Sequence, residues 1–329
     1  MAETPSIYER LQVGKQTVFG TAVAATRRLG AVNGSFVPHT ESAQYKPAGY
    51  KFTTVSVPLK EWSEITIADS PMTYDEIVYL LDSLIATATP TGNGTSTPYV
   101  RTYEPSVDGS QTRTIYTVES GSADRARDIQ DAVVAGLSFT LNRSGCTLSG
   151  SMLGKAMLDN QTLTSALSVL PLVPIAPTQV SIKLAATQAG LAGASAQTRN
   201  FDVSFSLNNL SNLVWPLNGA VDFAAHVDTQ PEGSGSFTLQ VNNDGMTPLT
   251  YLRDGSTYFM RIAATGPVIA GITPTANCAL QIDVAMKIKN LQFNDHEGTQ
   301  VAQWDYDIAY DGTWGKALLI TVTNGVATV

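Results

Sequence analysis

Short runs in which apolar and polar residues alternate recur along the whole chain, and this period of two restricts the fold more than any other feature. The runs are Lys51 to Leu59, Ser63 to Ala68, Thr114 to Glu119, Val134 to Asn142, Asp202 to Asn208, Ser236 to Val241, Tyr258 to Ala263, Leu280 to Phe293 and Gln300 to Ala309. Alternation puts every second side chain on one face of an extended strand, so each run reads as a β-strand of a half-buried sheet. One helical signal interrupts them in the first half. Thr73 precedes Glu76 in capping-box spacing, and Ile77, Leu80, Leu81 and Leu84 follow at helical intervals. Such a helix is expected to cover a sheet face. Two stretches lack apolar periodicity. Residues 86–113, rich in Thr, Pro, Gly and Ser, form a long loop for a compact domain, and residues 185–199, rich in Ala, Gly and Gln, read as a mobile excursion.

The halves of the chain resemble one another. Ser63 to Thr73, followed by Tyr79-Leu80, has a counterpart in Phe237 to Thr247, followed by Tyr251-Leu252: each is a strand, an acidic turn, Met-Thr and a short helix. Ile129-Gln130 leading through Val133 to Leu137 parallels Leu280-Gln281 leading through Val284 to Ile288, and Phe52 to Leu59 parallels Phe201 to Leu207. The order strand, strand, helix, strand, long strand, strand therefore occurs twice. The Pro-rich segment from Pro171 to Pro177 lies where the copies meet and has the composition of a stiff linker. At 329 residues the chain has room for two such units, here 1–175 and 176–329.

Chemistry is sparse. His39, His226 and His296 lie in separate segments, no GxSxG elbow occurs, and Gly150 to Ala156 has neither the spacing nor the hydroxyl of a phosphate loop. Cys146 and Cys278 are far apart and lack CxxC spacing, so buried free thiols are expected rather than a disulfide or a thiolate metal site. Asn294 to Gly298 gathers polar groups, yet the reading it supports is a hairpin tip and not a calcium loop. No catalytic, cofactor or metal residues are assigned. With 20 basic and 28 acidic residues the formal charge is −8, and neither half is a basic module, since the first carries 13 basic and 16 acidic residues and the second 7 and 12. Tight binding of duplex DNA needs clustered cations, which are missing. Only 15% of residues are charged, which suits a surface covered by neighbours. Met1 to Glu9 lacks an apolar signal core and no apolar stretch reaches a membrane-spanning length, so a product of the cytoplasm with no membrane passage is expected.

The opening Val13-Gly-Lys-Gln-Thr-Val-Phe-Gly20-Thr21 resembles the start of siphophage major tail tube proteins, which form the tube of long non-contractile phage tails. Ala68 to Ile77 ahead of Leu80-Leu81 is similar to the family's helix entry. Tyr258 to Gly266, Leu280 to Lys289 and Asp305 to Asp311 are similar to its closing strands. The likeness spans most of the chain, and its force lies in the order of the motifs. It implies a mainly β chain of two tandem β-sandwich tail-tube domains, each with a short flanking α-helix, in a virion structural protein that is not an enzyme. The implied partners are sister chains in stacked trimeric or hexameric rings, a tape-measure protein and tail-tip and tail-terminator proteins, with DNA passing through the bore during ejection. A bore that must not trap DNA suits acidic side chains, and the long strands offer Asp128, Asp131, Asp283, Asp305 and Asp307 as wall residues. Residues 86–113, the amino-terminal arm and the carboxy-terminal tail are the expected contacts between rings. A carbohydrate-binding or adhesive β-sandwich module and a capsid decoration protein are the alternatives.

Overall fold

The computed structural model describes residues 8–208 and 210–329, and the chain is mainly β. The first half contains β1 (Arg10–Gln16), β2 (Arg27–Leu29), β3 (Gly34–Tyr45), β4 (Val55–Pro71), helix α1 (Ile77–Leu84), β5 (Tyr99–Tyr103), β6 (Ile115–Gly121), β7 (Ala126–Asn142), β8 (Gly145–Gly154) and β9 (Leu158–Gln161). The second contains β10 (Val180–Ala185), α2 (Gly190–Gly193), β11 (Asn200–Asn208), β12 (Ser211–Val214), β13 (Ala225–Asp228), β14 (Glu232–Gln240), α3 (Pro248–Asp254), β15 (Tyr258–Val268), β16 (Asn277–His296), β17 (Thr299–Ile308) and β18 (Leu318–Asn324).

One pairing scheme occurs in both halves. In the first, β4 pairs β3 and β8, β8 pairs β7, and β7 continues beyond its partnership with β8 to pair β6, which pairs β1. In the second, β14 pairs β11 and β17, β17 pairs β16, and β16 continues to pair β15, which pairs β10. The long strands β7 and β16 thus each serve two sheets. Each also carries a bulge, which leaves Ala135 and Lys289 without a cross-strand partner. The halves meet where β11 pairs the end of β7, placing Phe205 opposite Phe139. One antiparallel sheet therefore runs β3-β4-β8-β7-β11-β14-β17-β16 through both halves.

Local chemistry explains the elements. The Thr73 hydroxyl accepts the Glu76 backbone N–H at 3.2 Å, the first half of a capping box. The Glu76 carboxylate does not complete the box. It accepts backbone N–H groups of Gly30, Ala31 and Val32 at 2.6–3.1 Å, tying the turn between β2 and β3 to the helix entry. All eight residues of α1 are buried, as expected of a helix apolar around most of its circumference. A single apolar core spans both halves, with Tyr74, Tyr79, Phe139, Phe205, Phe237 and Trp304 among its members.

Several expectations change. Lys51 to Leu59 and Ser63 to Ala68 are not two strands. Residues from Val55 onward form one 17-residue strand, β4. The counterpart of β11 is β3, not Phe52 to Leu59. Residues 86–113 are not a free loop, because β5 within them pairs β18 of the other half. Residues 185–199 are anchored: Leu191 is fully buried against Phe259 and Ala285, and the Gln197 N–H reaches the Ile182 carbonyl at 2.7 Å. The Pro-rich join lies against the entry to α1, where Tyr74 donates to Val173 and Ile175 donates to Met72. Among the described residues no helix is long and apolar enough to cross a membrane.

Candidate assembly surfaces

The sheet shared by both halves has two unlike faces. One is core: Leu137, Phe139, Val203, Phe205, Phe237 and Trp304 are buried on it. The other carries small polar side chains in cross-strand rows, such as Thr140, Ser204, Ser236 and Asp305 on β7, β11, β14 and β17. Side chains bind across it: the Ser204 and Ser236 hydroxyls meet at 2.9 Å, and the Thr238 hydroxyl donates to the Asp202 carboxylate at 3.1 Å.

The five aspartates expected on one wall divide among three environments. Asp305 and Asp307 do lie on the polar face. Asp305 accepts from Asn290 at 3.2 Å and Gln303 at 3.3 Å, and Asp307 pairs with Lys289 at 2.7 Å in an exposed contact that solvent screens strongly. Asp283 is buried at 1% exposure and takes a two-pronged contact from Arg261 at 2.6 and 2.7 Å. It pairs across to Arg261 on β15 and Leu319 on β18, so it belongs to the other sheet. Asp131 is also buried, with φ of 53°. It accepts the Gly20 N–H at 2.8 Å and pairs with Lys155 at 2.8 Å. Asp128 is half-buried opposite Glu119 on β6. Burial first and the Glu119 charge second push its carboxyl up to about 6. Asp131 and Asp283 are therefore structural ion pairs, not wall residues, and Asp128 sits in the sheet of β6 and β1.

The histidines are also separate. His39 stacks on Trp62 at 5.1 Å, His296 lies on Phe201 at 4.6 Å, and His226 meets the Asp131 carbonyl oxygen through Nε2 at 2.8 Å. Burial holds the His226 imidazole below its usual range. Among the described residues no three His, Cys, Asp or Glu side chains converge as a metal site requires. Asn294 to Gly298 is a hairpin tip, with His296 opposite Thr299 and Gly298 donating to Asp295 at 3.0 Å.

The ends of the shared sheet are open. Among the described residues β3 pairs only β4, and residues 287–296 of β16 pair only β17. Unpaired edges invite another strand. The repeat of the pairing scheme relates these edges to the junction already filled inside the chain. The cross-strand series Val134, Met152, Ile65, Phe36 recurs as Ile288, Tyr306, Gly235, Phe205. Phe36 on the open β3 edge thus holds the place of Phe205. Phe139 lies five residues beyond Val134, and Phe293, on the other open edge, lies five beyond Ile288. Phe139 and Phe205 are buried and stack at 5.6 Å with an 8° interplanar angle, whereas Phe293 is 54% exposed. The sequence reading missed this match because β3 shows no alternation. Its only written trace is the pair of aromatics Phe36 and Phe293. No known protein-family profile matches the chain, and no curated protein sequence is similar to it.

Proposed function

We propose that this chain is a structural subunit that closes into rings and stacks into a hollow tube, in the manner of a siphophage tail tube. The observation that carries the reading is the β7 to β11 junction. Two units with one pairing scheme are joined there edge to edge, and the shared sheet ends in the same two edges left open. Placing β16 of one protomer beside β3 of the next, in the register of the internal junction, sets Phe293 opposite Phe36 and repeats the Phe139 and Phe205 stack. Each unit then counts as one sandwich domain, and three chains present six of them, with a ring of six chains as the alternative. Ring closure removes the strand edges, which an open oligomer leaves exposed.

Three chains contribute eight strands each to the shared sheet. At about 4.8 Å between strands and a tilt of about 40°, such a barrel is roughly 48 Å across its backbone, wider than porin-sized barrels that hold an aqueous channel. The polar face of hydroxyls, amides and the carboxylates Asp202, Asp305 and Asp307 suits the bore, since it offers few cations to phosphate. Negative-stain electron microscopy of the purified protein, alone and seeded with a tail tip, tests the reading. Rings with a central hole are expected. Persistent single chains that bind an oligosaccharide would replace it with an adhesive module.

A further inference from the structure

The connection from β3 to β4 and that from β11 to β14 have nearly the same length, 22 residues at 40–61 and 23 at 209–231, yet the two are disposed differently. In the second half the connection folds back over the first half. Phe223 is buried and packs edgewise on Phe19 at 5.9 Å, and Trp215 meets Trp62 at 5.8 Å. Asp228 pairs with Arg113 at 2.8 Å, and the Glu61 N–H donates to the Val221 carbonyl at 2.9 Å. In the first half the equivalent residues extend β3 and β4 into a ribbon that leaves its apolar side chains uncovered. Tyr45, Tyr50, Phe52, Val55, Val57 and Leu59 are all exposed, Phe52 at 81%. Counted from either end of its connection, Phe52 falls within two residues of the place of Phe223.

We propose that residues 40–61 are a docking arm whose seat is the second half of the adjacent protomer, reached as residues 210–231 reach the first half of their own chain. The inference rests on ring closure through β3 and β16. The seat follows from the same equivalence. The Lys155 N–H donates to the Gln130 carbonyl just after β8, and the Ala309 N–H donates to the Ala285 carbonyl just after β17. The place that Lys155 holds beside Phe19, with its ammonium 4.8 Å from the ring centroid, therefore belongs in the second half to the turn that begins at Ala309. There Tyr310 is exposed, and Trp314 is partly exposed where it packs on Phe259 at 6.0 Å. Charge agrees. The arm tip from Tyr45 to Val55 holds Lys46 and Lys51 and no acid, in a chain of net charge −8, and Asp311 stands in the seat.

Assembled protein carrying Phe52→Cys and Tyr310→Cys, treated with a short bis-maleimide and run on a denaturing gel, tests this. A second preparation carries Phe36→Cys and Phe293→Cys to report ring closure. The native Cys146 and Cys278 are buried, and the melting temperature checks that single chains still fold. Expected is a ladder from the arm pair that stops at the same number of chains as the ladder from the edge pair. A ladder that runs past that stop overturns the seat and sends the arm to the next ring. Linkage of the edge pair without the arm pair overturns the seat and leaves ring closure standing. Linkage of neither, with no rings in the micrographs, removes both.

Discussion

Asp128 and Asp283 hold corresponding places on β7 and β16, each opposite the strand that precedes it, and the residue across from them decides what each does. Arg261 faces Asp283, so the pair is buried and closed, with hydrogen bonds of 2.6 and 2.7 Å. Removing one partner of a buried pair leaves an uncompensated charge. Arg261→Ala is therefore expected to cost about 3–5 kcal/mol, read as a fall in the urea midpoint of single chains. Glu119 faces Asp128, and burial first and this like charge second push the Asp128 carboxyl up to about 6 from its ordinary 3.8. A carboxyl whose folded value lies above its unfolded one binds its proton more tightly when folded. Its contribution to stability is complete below about 4 and is lost as pH rises through about 6. Asp128→Asn should flatten that part of the pH profile and stabilise the chain at pH 7 by about 1 kcal/mol, after allowance for solvent at a half-buried site. Urea unfolding at pH 4, 5, 6 and 7 measures both effects.

At the scale of elements, legibility followed burial. Strands with one wet face and one dry face, such as β7, β14 and β17, show their alternation plainly, because each face selects its own residue types. The edge strand β3 has neither face covered along most of its length and contains Pro38, so no period survives. Alternation also fails to say which sheet a residue joins once a strand bends from one sheet into another. The change of partner from β15 to β17 at Met286 separates Asp283 from the segment paired with Asp305 and Asp307, and nothing in the residue pattern marks it. The loop of residues 86–113 looked free because the partner of β5 lies more than 200 residues away in β18. Arg101 on β5 is 1% exposed and donates to the Val326 carbonyl at 2.7 Å and the Ala327 carbonyl at 3.1 Å, so it clasps the end of the chain. Arg101→Ala should lower stability by about 3 kcal/mol through the lost charge-assisted bonds and the unmet carbonyls. Loss of hydrogen-exchange protection confined to β5 and β18 would locate the effect. The ribbon of residues 40–61 makes the opposite case. In single chains trypsin is expected to cut first after Lys51, since Pro47 shields the bond after Lys46, and assembly should protect that site.

For the whole molecule, the question is how an open sheet of eight strands is completed. Phe293 is exposed, so Phe293→Asp should leave the melting temperature of the single chain almost unchanged, since surface substitutions typically fall within about 0.5 kcal/mol. On the proposed assembly the same change sets a carboxylate against Phe36 in a closed junction and should abolish rings in electron micrographs. Phe139→Ala makes the complementary test. It empties the internal junction and is expected to cost about 3–5 kcal/mol of single-chain stability. Unequal outcomes of this kind would show that two junctions alike in geometry do different work.

The covalent join between the two units gives that difference a wider meaning. Half of the contacts around such a ring are made when each polypeptide folds, with no loss of translational freedom. The remaining half must be won by collision, at a cost of several kcal/mol apiece. The circle then consists of permanent hinges alternating with releasable seams, and when it is strained or diluted it should come apart into whole polypeptides along every second joint.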